Sequence, residues 1–210
     1  MHKSSIVVAL LFVSLLGAQW AKADSCNGVS AAKNLIQNCA FGTGDFTDWS
    51  GSATSVTNPY DYVTPLDSTA ADPNPYVGSY EADLGDIDST ATLSETFATT
   101  AGHGYEVEFA LQNDTGAGDG YDNSFVADFG SDQLLSLTNV AESSGWTLYT
   151  YYVDATGSST TLSFTDDNDA GDWDLDSVSV AATPEPGSFL LFGTGLLALA
   201  GVARRRLSNR

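Results

Sequence analysis

Basic residues are scarce in this chain: seven Lys and Arg stand against 27 Asp and Glu. Between residues 24 and 183 the imbalance sharpens, because Lys33 is the one basic residue there and every acid but Glu185 falls inside. One base against 26 acids leaves that stretch a formal charge of −25. Such a field repels nucleic acid and anionic lipid surfaces, which excludes both as partners. Histidine is nearly missing too, with only His2 and His103. His103 lies in Ala101-Gly102-His103-Gly104, a turn-like setting that reads as an exposed turn histidine. Zinc needs several His or Cys ligands, and this chain does not offer them. No G-x-S-x-G nucleophile elbow occurs, and a bridged cysteine pair would leave no Cys–His couple. Paired carboxylates can serve a glycosidase. Among 26 acids, however, a pair at suitable separation arises by chance. The reading is a non-enzyme.

Long apolar runs are confined to the two ends. Met1-His2-Lys3, the apolar stretch Ile6 to Gly17 and Ala21-Lys22-Ala23 form a secretory signal peptide over residues 1–23. Signal peptidase is therefore an expected partner during export. An exported chain with only Cys26 and Cys39 favours a disulfide between them, whose short loop contributes about 3 kcal/mol. At the other end, Ser188 to Ala203 carries no charge. As a helix rising about 1.5 Å per residue, it would span roughly 24 Å, a short but workable transmembrane helix. Arg204, Arg205 and Arg206 would stay cytoplasmic, placing the body outside the inner membrane. Gly193-Thr194-Gly195-Leu196-Leu197-Ala198 has dinucleotide-binding glycine spacing, but no strand precedes it and the match is discarded.

Pro184-Glu185-Pro186, the short apolar run and the arginine cluster stand in one order at residues 184–210. That order resembles the PEP-CTERM sorting signal of Gram-negative bacteria. The resemblance implies recognition by an exosortase, with cleavage near Pro184-Glu185-Pro186. The precursor would be held transiently at the inner membrane, then released to the cell surface or to an exopolysaccharide-rich biofilm matrix.

Residues 24–183 form one domain's worth of chain. No good amphipathic helix appears there. Tyr105 to Leu111 alternates apolar and polar residues, as a strand with one buried face does. Leu93 to Phe97, Ser124 to Phe129, Leu134 to Thr138, Trp146 to Val153 and Ser159 to Phe164 are similar short runs bounded by turn residues. Along Trp173 to Val180 the apolar phase switches, which predicts a bulge near Ser177. The expected fold is all-β, an antiparallel sandwich, flanked by an N-terminal signal helix and a single C-terminal transmembrane helix.

"NLIQNCAFGTGDFTDWS", Asn34 to Ser50, and "NDAGDWDLDSVSV" resemble the opening and closing motifs of carbohydrate-binding jelly rolls. The resemblance implies a jelly-roll sandwich with Trp49 and Trp173 in its core. It also implies a structural calcium ion held by an opening carboxylate and a closing Asp. Asp176 matches the closing Asp, while Gly42 stands where the opening Glu usually is, leaving Asp45 or a backbone carbonyl to replace it. The acidity itself has two compatible readings: solubility outside the cell, or divalent cation binding. "DDNDAGDWDLDS" nearly mimics an EF-hand loop, but Ala170 and Ser177 break the pattern. For sugar binding the candidates are Tyr60, Tyr62, Tyr76 and Tyr80, in a Pro-rich stretch read as irregular chain. Their rings could stack on pyranose faces, or simply cover the sandwich edge. The expected function is thus an exported, exosortase-sorted envelope or matrix protein that binds exopolysaccharide. The alternatives are an exported hydrolase with an unrecognised site, or a purely adhesive protein with no sugar pocket.

Overall fold

Alternating side chains give each strand one apolar face, and those faces close on a shared interior. A computed structural model describes Cys26 and residues 33–65, 75–86, 89–114, 122–169 and 171–183. The signal peptide, the sorting signal with its transmembrane helix, and most of the Gly-Asp loop after Asn113 lie outside the described residues. Among the described residues, no helix is long and apolar enough to cross a membrane.

The strands are β1 (Tyr62–Pro65), β2 (Tyr80–Leu84), β3 (Ala91–Ala98), β4 (Gly104–Asn113), β5 (Asn123–Phe129), β6 (Asp132–Thr138), β7 (Thr147–Asp154), β8 (Ser159–Asn168) and β9 (Trp173–Ala182). They form a five-stranded sheet ordered β1-β2-β9-β4-β7 and a four-stranded sheet ordered β3-β8-β5-β6. Every pairing is antiparallel. The chain passes repeatedly from one sheet to the other, the winding that a jelly roll requires. The all-β sandwich is therefore as the alternation predicted.

Aromatic rings fill the space between the sheets. Phe164 lies 5.2 Å from Phe109, 5.8 Å from Phe125 and 6.2 Å from Trp49, so it joins both sheets and the opening segment. Trp173 packs on Phe125 at 5.4 Å. Both Trp49 and Trp173 are buried, as the motifs implied.

The phase switch in β9 has the expected cause. Glu108 pairs with Ser179 and Ala110 with Asp176, so Ser177 and Val178 together oppose Phe109. Ser177 takes φ 56° there. This bulge returns Val178 and Val180 to the core and leaves Asp174 and Asp176 on the outer face.

β2 pairs with β9 only through Trp173, Asp174 and Leu175. Farther along, the opening segment takes that edge. Leu35 N–H donates to the Val180 carbonyl at 2.8 Å, and Val178 N–H donates to the Cys39 carbonyl at 2.8 Å. The Asn34 amide adds a donation to the Val178 carbonyl and accepts the Val180 N–H. The Cys26–Cys39 disulfide closes behind it. On the second sheet, Ser50 bridges Ser94 and covers the free edge of β3. Gly51, at φ 122°, permits this approach, since a Cβ there would strike the Thr92 carbonyl.

Two strands correct the sequence reading. The chain around Tyr62 and Tyr80 was expected to be irregular, yet it forms β1 and β2. Pro65 is tolerated because β1 is an edge strand. β2 carries Glu81 and Asp83, residues of low strand propensity, and its pairing with β1 and β9 holds it in place. The strand expected over Ser159 to Phe164 extends further into the acidic stretch. β8 runs to Asn168, and Asp166 is completely buried.

Candidate functional site

The outer face of the five-stranded sheet concentrates acidic and amide side chains. Register aligns Tyr62 on β1 with Asp83 on β2, Asp83 with Asp174 on β9, and Asp174 with Gln112 on β4. At about 4.8 Å per strand spacing, this row spans roughly 14 Å. Beside it, Thr64 pairs with Glu81, and Asp176 with Ala110. Thr64 Oγ1 donates to Asp83 Oδ2.

Asp174 is only 4% exposed and Gln112 only 7%. Asp174 Oδ2 and Gln112 Oε1 have no hydrogen-bond partner, although their residues are directly paired. A buried acceptor left so costs about 1–3 kcal/mol. Burial pushes the Asp174 carboxyl up to about 9, and the charges of Asp83, Glu81, Asp114 and Asp172 add to the shift. Asp172 closes the end of the row, accepting a long 3.5 Å hydrogen bond from Tyr62 Oη.

An aromatic arch crosses this face. Val77 N–H donates to Asp176 Oδ2 at 2.7 Å, which lays the loop before β2 against the sheet. From that loop Tyr76 meets Trp146, with ring centroids 6.0 Å apart and planes at 58°. Tyr76 leads into β2 and Trp146 into β7, with β9 and β4 between them, so the pair bridges the middle of the sheet. Tyr62 and Tyr76 are 46% and 39% exposed. Around the corner, a cleft of about 170 Å³ opens between Leu111, Trp173, Tyr149 and Val140. It is well below the roughly 300–1,000 Å³ of ordinary ligand pockets.

A second acidic group sits where the two sheets meet. Asp61 Oδ1 accepts the Gly85 N–H at 2.9 Å, and Asp61 Oδ2 accepts the Asn58 amide. Burial pushes Asp61 up to about 6 against that Gly85 hydrogen bond. Burial and then the Asp61 charge push Asp166 up to about 8. A third carboxyl, Glu95, faces inward from β3 and accepts the Gln37 N–H through both oxygens. Burial holds it at about 7.

The candidates named from sequence are dispersed. Tyr62 and Tyr76 flank the acidic row, whereas Tyr80 packs inward beneath the opening segment. Its ring lies so near Gly44 that a Cβ there would come within 3.2 Å. Tyr60 is exposed ahead of β1. Asp45 is exposed and caps its own loop, accepting from Thr43 Oγ1 and the Thr47 N–H. Asp176 is buried and accepts the Val77 and Ser177 N–H groups. Among the described residues, no group of three or more His, Cys, Asp or Glu is arranged to hold a metal ion. Sequence reasoning missed Asp83, Gln112, Asp174 and Trp146. The alternation Glu81-Ala82-Asp83-Leu84 against Asp174-Leu175-Asp176 was the available signal.

Fold and face together define an all-β sandwich with one acceptor-rich surface. Residues 182–206 carry a PEP-CTERM protein-sorting motif, which marks an exosortase-sorted, membrane-anchored precursor. Similar solved structures include a Stig cyclase, Fisc, from Fischerella sp. TAU, at TM-score 0.54 and 16% identity, covering 73% of this chain and 98% of that one. TmCBM61, solved in complex with β-1,4-galactotriose, scores 0.49 at 20% identity and covers 72% of this chain and 99% of that one. A family 16 carbohydrate-binding module scores 0.45 at 18% identity, covering 70% and 99%. At such identities the likeness is one of fold. No curated protein matches the sequence.

Proposed function

We propose that this protein is a non-enzymatic glycan-binding module. After signal peptidase and exosortase have processed it, with cleavage near Pro184-Glu185-Pro186, it is delivered to the cell surface or extracellular matrix of a Gram-negative bacterium. The observation that carries the binding reading is the row Tyr62–Asp83–Asp174–Gln112 under the Tyr76–Trp146 arch. Buried acceptors without donors, beside partly exposed rings, match the two needs of a sugar: hydroxyls that donate and C–H faces that stack. A structural calcium ion involving Asp176 remains part of this reading. A glycan array with the full-length chain, in calcium and in EDTA, tests it. Binding to exopolysaccharide fragments that falls with Trp146→Ala is the expected result. A flat array in both conditions would overturn it.

One observation favours a second reading, an exported glycoside hydrolase. Asp83 and Asp174 face each other on paired strands, and Asp174 holds its proton near neutral pH. A protonated acid beside a carboxylate is the pair that glycoside hydrolysis uses. Hydrolysis of any array-positive oligosaccharide, abolished by Asp174→Asn, would establish it.

A further inference from the structure

The two unpartnered acceptors ask for more than a generic sugar. Asp174 Oδ2 and Gln112 Oε1 are buried, belong to directly paired residues and have no donor. Asp83 and Glu81 approach Asp174 from β2, while Asp114 and Asp172 approach from the chain ends beside β4 and β9. All four neighbours are acids, and Lys33 is the one basic residue between positions 24 and 183. A hydroxyl offers this place one donor and no charge. A primary ammonium offers three donors and the charge that the surrounding carboxylates lack. The aromatic arch overhead, Tyr76 with Trp146, suits a cation as well as a sugar face. A metal ion fits less well, since the carboxylates are laid out in a row and form no three-ligand group among the described residues.

We propose that the outer face of the five-stranded sheet selects glycans bearing free amino groups, with one ammonium seated between Asp174 and Gln112. This rests on the glycan-binding reading above and names its ligand class. Uronic acid and sulfated glycans are repelled by the same carboxylates. Binding also carries a proton signature. Asp174 is protonated in the free protein near neutral pH, and an arriving ammonium favours its ionised form, so a proton leaves on binding.

The test is calorimetry on the full-length chain in mild detergent. The probes are a glucosamine hexamer, the fully N-acetylated hexamer, a neutral galactan oligomer and spermidine. One charge-assisted contact predicts a preference of about tenfold or more for the free amine over its acetylated twin. The enthalpy should also differ between two buffers by the released proton. Asp174→Asn should erase the preference for the free amine, and Asp45→Asn, on an exposed loop, should change nothing. Equal affinity for the two hexamers would overturn the amine selection and leave glycan binding standing. Failure of every sugar probe would overturn the underlying reading as well. Spermidine binding as tight as the hexamer's would overturn the sugar component. A preference that survives Asp174→Asn would overturn the seat at Asp174.

Discussion

The two outer faces of the sandwich are both polar, and they differ in how their polarity is settled. On the four-stranded sheet, β3 and β8 pair Thr92 with Thr165, Ser94 with Ser163 and Thr96 with Thr161. Thr92 meets Thr165 at 3.3 Å and Thr96 meets Thr161 at 2.7 Å, while the Ser94 hydroxyl turns to Ser50. A hydroxyl both donates and accepts, so a ladder of them satisfies itself. On the five-stranded sheet the corresponding positions hold Asp83, Asp174 and Gln112. Asp83 accepts from Thr64, while Asp174 Oδ2 and Gln112 Oε1 have no partner and the groups around Asp174 are more carboxylates. The Thr92–Thr165 and Thr96–Thr161 pairs satisfy themselves; the Asp174–Gln112 pair is short of donors. Similar polarity in the sequence thus hides opposite hydrogen-bond balances.

The largest test removes what the faces share. Phe164→Ala should cost about 3–5 kcal/mol in chemical denaturation, because Phe164 joins both sheets. It should disturb both faces together. Next comes pH. Asp166 and Asp174 are held at about 8 and about 9, against about 3.9 for a free aspartate. Between those limits the folded chain binds more protons than the unfolded one, so stability falls as pH rises. From pH 5 to pH 8 each group should lose about 1.4 kcal/mol per pH unit, read by denaturation at each pH. Asp174→Asn should flatten that slope, with its gain appearing at pH 8. A stability that rises toward pH 8 would show that the acceptor face carries no such strain.

Smaller effects sharpen the contrast. Trp146→Ala should weaken glycan binding by about tenfold, on the order of 1.4 kcal/mol, with little change in melting temperature. Thr96→Val, on the four-stranded sheet, should leave binding untouched and shift stability by about 1 kcal/mol or less. Equal losses of binding from the two variants would abolish the distinction between the faces.

How far the sequence disclosed this depends on where each signal resides. Tyr105 to Leu111 alternates cleanly and lies within β4. The phase switch around Ser177 marks a bulge that register confirms. β1 and β2 were illegible because Pro65, Glu81 and Asp83 disfavour strands locally, and only pairing, β1 with β2 and β2 with β9, makes them strands. The acidic row was hidden for a different reason. Asp83, Gln112 and Asp174 lie far apart along the chain, and only sheet order makes them neighbours. Tyr62 and Tyr76 were found because exposed aromatics near turns stand out singly. Their partner Trp146 was passed over as the start of a strand, and β7 begins one residue later.

The bonding of β9 has a mechanical consequence. This strand leads into the sorting segment, and Thr183 still donates its N–H to the Gly104 carbonyl. β9 is bonded on both sides, by β4 along one edge and by β2 and then the opening segment along the other. Any pull on the C-terminal tether therefore loads two ladders in shear, parallel to the strand. An edge strand would instead peel away one bond at a time. A load applied through the sorting segment thus enters a strand bonded on both edges, not an edge strand.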